Sequence, residues 1–164
     1  MKEERSYQNH EILEKYYIGY IRGTKDLLPL LRRLSIVDPH NISYTLRYIT
    51  LDNNEMLFYL DHSITNSSCT NQHHVNILKS YQKTNPDAIP VDGGYLEFKA
   101  DDKNVILLAR TASTLQEQYQ LRFNSAERKI TCNILNPVLE KINMTCITST
   151  HKSAPPTTVT EYYD

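Results

Sequence analysis

Two regions of the chain alternate apolar and polar side chains with the period of two that β-strands show. The first comprises residues 42–51 and 56–62, each with one apolar side, separated by the polar residues 52–54. Two alternating segments joined by a short polar connection are typical of a β-hairpin. The pattern therefore predicts a hairpin in this region.

A second hairpin is predicted over residues 91–110, where Gly93 and Gly94 precede an alternating segment. The polar residues 101–104 form its connection, and the second arm, 105–109, is apolar at every position. Because a strand that is apolar on both sides is usually covered on both faces, this arm is expected to be internal to a sheet.

Helical spacing of apolar residues marks the segments around these hairpins. The N-terminal segment 7–22 is predicted to be one amphipathic helix that ends at Gly23. Further helices are predicted over residues 24–38, 71–83 and 113–127, the last from a capping-box pattern at its start.

The C-terminal part is predicted to add a strand at 130–134, a short helix at 136–141 and a last strand at 143–148. The Ser-, Thr- and Pro-rich residues 151–164 are expected to be a disordered tail. Residues 1–150 are then a single α+β domain with the order αα-ββα-ββα-βαβ. Its two hairpins are expected to share one antiparallel sheet, with the helices packed on one face.

Composition narrows the classes of function. The 164 residues include 18 Lys and Arg against 19 Asp and Glu, a net charge of −1, which disfavours nucleic-acid binding through phosphate neutralisation. The sequence shows neither a signal peptide nor a membrane span, so no membrane partner is expected. Three cysteines, an odd number, indicate a reducing compartment, and the expected location is the cytoplasm.

One cluster of residues has side chains that can bind metals: Asp61, His62, Cys69, His73 and His74. Zinc ligands normally come in pairs two to four residues apart at both ends of a site, and this cluster lacks that spacing. No metal, no cofactor and no catalytic group is therefore predicted, although whether Cys69 forms a site with the two histidines stays open. The absence of a catalytic motif favours a non-enzymatic binding protein, without excluding an enzyme.

The predicted first helix carries the strongest binding signal, a broad apolar face rich in tyrosine. Tyrosine suits binding surfaces because it combines an apolar ring with a hydroxyl group. The face is the candidate surface for a protein partner, a client polypeptide or a homodimer, and its residues are Tyr16, Tyr17, Tyr20 and Ile21.

Within residues 74–125 the predicted order is a helix at 76–81, a glycine-introduced strand at 93–98, a second strand at 105–110 and a helix at 115–123. This order resembles type III secretion chaperones of the Tir-chaperone kind. The resemblance implies a cytoplasmic, commonly dimeric, non-enzymatic protein that holds a client polypeptide extended along an apolar surface. The resulting hypothesis is a chaperone-like or adaptor-like protein-binding module.

The alternative hypothesis is a phosphohydrolase. His74, followed by Gly93-Gly94 and the 95–110 hairpin, is similar to the arrangement in phosphohistidine phosphatases of the Janus type. That resemblance implies that His74 acts on a phosphate held by backbone amides. Residues 111–120 contain no Gly and no His, so the phosphate-holding loop of that family has no counterpart there.

Overall fold

A computed structural model describes the central part of the chain: residues 13, 15–37, 43–60, 73–99, 104–108, 114–122 and 124–148. The strands are β1 (Ile21–Gly23), β2 (Ser43–Leu51), β3 (Met56–Tyr59), β4 (Pro90–Lys99), β5 (Asn104–Leu108) and β6 (Thr145–Thr148). The helices are α1 (Leu27–Val37), α2 (His74–Gln82), α3 (Thr114–Tyr119) and α4 (Ser125–Leu139). The predicted tail at 151–164 lies outside these residues.

The strands form one sheet in the order β1-β3-β2-β4-β5-β6. Both predicted hairpins are present, and long antiparallel pairing of β2 with β4 joins them, so the α+β prediction is confirmed. β5, in which residues 105–108 are all apolar, lies between β4 and β6, as predicted for an internal strand. Its pairing with β6 is parallel, whereas the other strand pairs are antiparallel.

The helices are divided between the two faces of the sheet, where the sequence led us to expect one face. α1 and α4 pack on the side of Leu46 and Tyr48, and α2 and α3 on the side of Ile49 and Leu51. Residues 46–51 of β2 are buried at both odd and even positions, so each face of this strand is covered. The sheet is therefore the middle of three layers.

The prediction of one helix over residues 7–22 is wrong for the second half of that segment. Helical structure is present at Leu13 and Tyr16, but the amides of Tyr17 and Ile18 both donate to the carbonyl of Leu13. Gly19 follows with φ of 79°, a left-handed conformation that ends helices at low cost only for glycine. The chain then enters β1, which pairs antiparallel with β3.

The helix predicted over 113–127 is two helices. α3 stops at Tyr119, Gln120 takes a left-handed φ of 57°, and α4 begins after Asn124. The Asn124 side chain accepts from the Glu127 amide, and the Glu127 carboxylate accepts from the Asn124 amide. This capping box fixes the start of a new helix.

The strand predicted at 130–134 and the short helix at 136–141 are also wrong, because both segments belong to α4 or to the 3-10 turn Glu140–Ile142 that follows it. Pro137 lies inside α4 and does not start a helix. The helix ends where Asn143 takes a left-handed φ of 57° and the Met144 amide donates to the Leu139 carbonyl. The predicted last strand is confirmed as β6.

Candidate functional site

The four residues of the predicted binding surface lie at one edge of the sheet, but not on one helical face. Tyr16 is 49% exposed and Tyr20 is 51% exposed. Tyr17 is half-buried against the cluster on the α1 side, and Ile21 against the cluster on the α2 side. The two inner residues thus anchor the segment, and the two outer tyrosines face solvent.

Arg22 organises these tyrosines. Its guanidinium lies 5.3 Å from the centre of the Tyr20 ring and 6.0 Å from that of Tyr17, within the range of cation–π attraction. Its Nη2 donates to the Tyr16 carbonyl oxygen. The Lys15 ammonium lies 5.4 Å from the centre of the Tyr16 ring. The exposed aromatic surface is therefore accompanied by two positive charges, which the prediction from the sequence missed.

A pocket of about 310 Å³ opens beside this segment, and we call it the edge pocket. Its lining consists of Gly19, Tyr20 and Ile21 of the N-terminal segment, Tyr59 of β3 and Ser80 of α2. Ser80 and Tyr59 are far from the N-terminal segment in sequence. No local pattern could have placed them here, because Tyr59 comes beside Ile21 through strand pairing and Ser80 through the packing of α2 on the sheet.

The two edges of the sheet differ. Within the described residues β1 pairs with β3 on one side and with no strand on the other. At the opposite edge, the amide of Cys146 in β6 donates to the side-chain oxygen of Asn136, at 3.0 Å. The Asn136 side chain thus already binds one backbone amide of β6. An unpaired strand edge can accept another strand, so β1 is the more open template of the two.

His74, the residue of the alternative hypothesis, is buried at the start of α2, with 2% of its surface exposed. Its Nε2 lies 2.6 Å from the Gly94 carbonyl oxygen, and its ring meets Tyr95 edge to face at 5.3 Å. A Cβ atom at Gly93 would lie 2.8 Å from a methyl carbon of Leu115. The glycine therefore permits close packing of α3, and these contacts give the phosphohydrolase hypothesis no support.

The structure places only part of the residue cluster that was considered, and not predicted, as a metal site. Asp61, His62 and Cys69 lie outside the described residues, and His73 and His74 are at the start of α2. In the portion of the chain that the structure describes, no three His, Cys, Asp or Glu side chains converge closely enough to hold a metal ion.

A buried polar network joins α4 to the centre of the sheet. Asp92 Oδ2 accepts from the hydroxyl of Tyr48 at 2.9 Å and from that of Thr131 at 2.6 Å. Arg128 Nη1 lies 3.1 Å from Asp92 Oδ1 and also donates to the Tyr48 hydroxyl. Thr50 Oγ1 lies 2.7 Å from Thr131 Oγ1. Since the Thr131 proton is used for Asp92, the Thr50 hydroxyl is the donor in that pair.

Burial dominates the electrostatics of this network. It raises the pKa of Asp92, while the positive charge of Arg128 and the hydroxyl donors oppose that rise. Burial, followed by the charge of Asp92, also raises the pKa of Tyr48 well above its ordinary value. Asp92 and Thr131 have no exposed surface, so a substrate in solvent cannot reach them. The network therefore fixes α4 on the sheet, and its role is structural.

Comparison with protein-family models, curated proteins and solved structures gives no match to this chain. Among the described helices, none has the length and apolar character that crossing a bilayer requires.

Proposed function

We propose that this protein is a non-enzymatic protein-binding module, chaperone-like or adaptor-like, that acts in the cytoplasm. In this proposal the edge pocket and the adjoining tyrosines bind an extended segment of a partner polypeptide. The observation that carries the proposal is the position of two half-exposed tyrosines, Tyr16 and Tyr20, beside a pocket and beside β1, which has no second strand neighbour among the described residues.

The chemistry of the surface supports a polypeptide partner. Tyrosine and arginine are enriched among the residues that contribute most to protein–protein binding energy, and Tyr16, Tyr20 and Arg22 are grouped here. Arg22 already holds the Tyr20 ring, so less conformational freedom is lost when a partner covers that ring. The surface is in this sense partly preorganised.

The geometry of the edge supports an extended conformation for the bound segment. A peptide that adds to β1 would form main-chain hydrogen bonds with the strand, and alternate side chains would point towards one face of the sheet. One of these side chains would enter the edge pocket between Ile21 and Tyr59. Lys15 and Arg22 lie beside the exposed rings, so acidic residues next to the apolar anchor would be favoured.

The proposal is tested with a library of immobilised extended peptides that vary in apolar and acidic positions. Wild-type protein is compared with Tyr16→Asp plus Tyr20→Asp, and affinities of the selected peptides are measured by fluorescence polarisation. We expect the double variant to lose at least about tenfold in affinity, since removal of an important interface side chain costs 1–2 kcal/mol or more.

A matched control is Ile130→Asp plus Ile147→Asp, which places the same charges at apolar residues that are 41% and 40% exposed on α4 and β6. This control should bind like wild type. Equal loss in both double variants, or no loss in the folded tyrosine variant, would contradict the assignment of the surface.

A second copy of the chain is the other occupant that this surface could bind. Sedimentation velocity over a range of protein concentrations distinguishes the two cases. If the wild type self-associates and the tyrosine variant stays monomeric, the surface is a homodimer interface. A wild type that remains monomeric while it binds peptides leaves the partner polypeptide as the occupant.

A further inference from the structure

Two cysteines from different elements meet on the α4 side of the sheet. Cys132 lies on α4 and Cys146 on β6, 14 positions apart, and their sulfur atoms are separated by 2.7 Å. Both are free thiols in the structure. The sequence places each residue among alternating apolar positions and gives no sign that they are neighbours.

The backbone around the cysteines holds them in this position. Asn136 follows Cys132 by one helical turn, so both side chains lie on the same face of α4. The oxygen of the Asn136 side chain accepts from the Cys146 amide. On its other side, Cys146 is fixed by the register of β6 with β5, in which it is opposite Val105. The approach of the sulfurs therefore follows from the packing of a helix on a strand, and not from one rotamer alone.

We propose that Cys132 and Cys146 form a reversible intramolecular disulfide that locks strand β6 to helix α4 under oxidising conditions. A disulfide bond is about 2.05 Å long, so the sulfurs need to approach by only about 0.65 Å. We expect rotation of the two side chains to supply this movement while the strand and the helix keep their places.

The environments of the two thiols assign their roles. Cys132 is half-buried and Cys146 is buried, so an oxidant in solvent reaches Cys132 first. The hydrogen bond from Cys146 lowers the pKa of Cys132, and the same contact together with burial raises the pKa of Cys146. Because the thiolate is the reactive form, Cys132 is the attacking group and Cys146 the resolving group.

A small-molecule disulfide such as oxidised glutathione can serve as the oxidant. The Cys132 thiolate attacks one sulfur of glutathione disulfide, forms a mixed disulfide and releases one glutathione thiolate. The Cys146 thiol then transfers its proton to a glutathione thiolate and attacks the Cys132 sulfur. The mixed disulfide breaks, and the second glutathione leaves. The two protein thiols are oxidised, and one glutathione disulfide is reduced to two glutathione molecules.

Closing this loop changes the stability of the protein. A crosslink around a loop of about 15 residues restricts the unfolded chain, and for a protein of this size the effect corresponds to a rise in Tm of about 5–10 °C. Oxidation and its reversal can therefore be followed by thermal unfolding as well as by mass.

The experiment uses the full chain with Cys69→Ser, so that only the proposed pair can react. The protein is equilibrated in buffers with increasing ratios of oxidised to reduced glutathione, acid-quenched, alkylated and analysed by intact mass and peptide mapping. We expect a crosslinked peptide containing Cys132 and Cys146, a cooperative transition with the redox ratio, and the rise in Tm given above.

Single variants make the result interpretable. Cys146→Ser removes the resolving thiol, so it should accumulate the glutathione adduct at Cys132, whereas Cys132→Ser should react slowly at the buried Cys146. Neither variant can form the crosslink, so neither should show the rise in Tm in oxidising buffer. Two alkylatable thiols at every redox ratio, or a stable glutathione adduct in place of the crosslink in the Cys69→Ser protein, would overturn the proposal.

Discussion

Replacement of Arg128 by methionine is the most direct test of how α4 is held on the sheet. Methionine keeps an apolar chain of similar reach, but it removes the positive charge beside Asp92. The Asp92 carboxylate would retain donors from Tyr48 and Thr131 while losing its counter-charge in a place with no exposed surface. The substitution thus isolates the charge of the arginine from its volume.

The expected cost is large. Removing one partner of a buried ion pair leaves an uncompensated charge and typically destabilises a protein by about 3–5 kcal/mol. Arg128 also donates to the Tyr48 hydroxyl, and loss of one such hydrogen bond adds about 1 kcal/mol. Partial rearrangement around the methionine offsets part of this cost. We therefore expect the free energy of unfolding to fall by about 3–5 kcal/mol at pH 7.

The dependence on pH is the specific signature. The pKa of Asp92 in the folded protein lies above the ordinary value of 3.8, and Arg128 opposes that rise. Without Arg128 the folded-state pKa rises further. A carboxyl group with a raised pKa binds its proton more tightly in the folded state than in the unfolded state. The free energy of unfolding therefore falls as the pH rises from the unfolded-state pKa to the folded-state pKa of this group. The deficit of the variant should therefore shrink as the pH is lowered from 7 towards 4.

Urea unfolding monitored by circular dichroism at several pH values measures these differences. Arg32→Met on the exposed side of α1 is the control and should change the free energy of unfolding by less than about 0.5 kcal/mol. Adding Asp92→Asn to the Arg128→Met protein removes the unpaired charge and should restore part of the stability. A deficit below about 1 kcal/mol, or one that is independent of pH, would refute the assignment of Arg128 as the counter-charge.

Two further substitutions test local features. Gly93→Ala should destabilise the protein by about 1–2 kcal/mol, because its Cβ would lie 2.8 Å from Leu115 in a packed layer. Thermal unfolding of this variant with and without Leu115→Val should reveal a favourable coupling energy, and strict additivity would contradict the contact. Asn124→Ala should cost about 1 kcal/mol by removing the α4 cap, measured by urea unfolding. The exposed neighbour change Ser125→Ala provides the control, and equal effects of the two would contradict the capping role.

The success of the sequence in predicting the hairpins follows from local physics. In β2 and β3 the alternating apolar residues predict two strands and the polar residues between them mark the turn, and this holds although both faces of these strands are covered. Helices α1 and α2 were predictable for the same reason, since their buried leucines and isoleucine recur at helical spacing.

α4 was mistaken because two of its buried positions are polar. Arg128 and Thr131 lie on the face that packs on the sheet, in the two turns before the buried Leu135 and Leu139. The apolar residues that alternate in this segment led to the strand prediction, yet one of them, Ile130, is exposed. The helical period was therefore hidden by residues whose burial depends on Asp92, which is distant in sequence.

For the candidate site, the sequence suggested the tyrosines as candidate binding residues but did not predict how they are arranged in space. The surface depends on Gly19 turning the chain out of the helix and on the pairing of β1 with β3. Tyr59 lines the edge pocket because β3 pairs with β1, and Ser80 lines it because α2 packs on the same face of the sheet. The Cys132–Cys146 contact likewise depends on the packing of α4 against β6, which no local pattern encodes.

The inequality of the two sheet edges limits how copies of this protein can assemble. A head-to-tail filament would require β1 of one copy to add to β6 of the next, and such open contacts repeat without end. Asn136 occupies the Cys146 amide at the β6 edge, which disfavours that addition. Self-association through β1 would instead pair the same strand of both copies, so the contact would be isologous and would close at two copies.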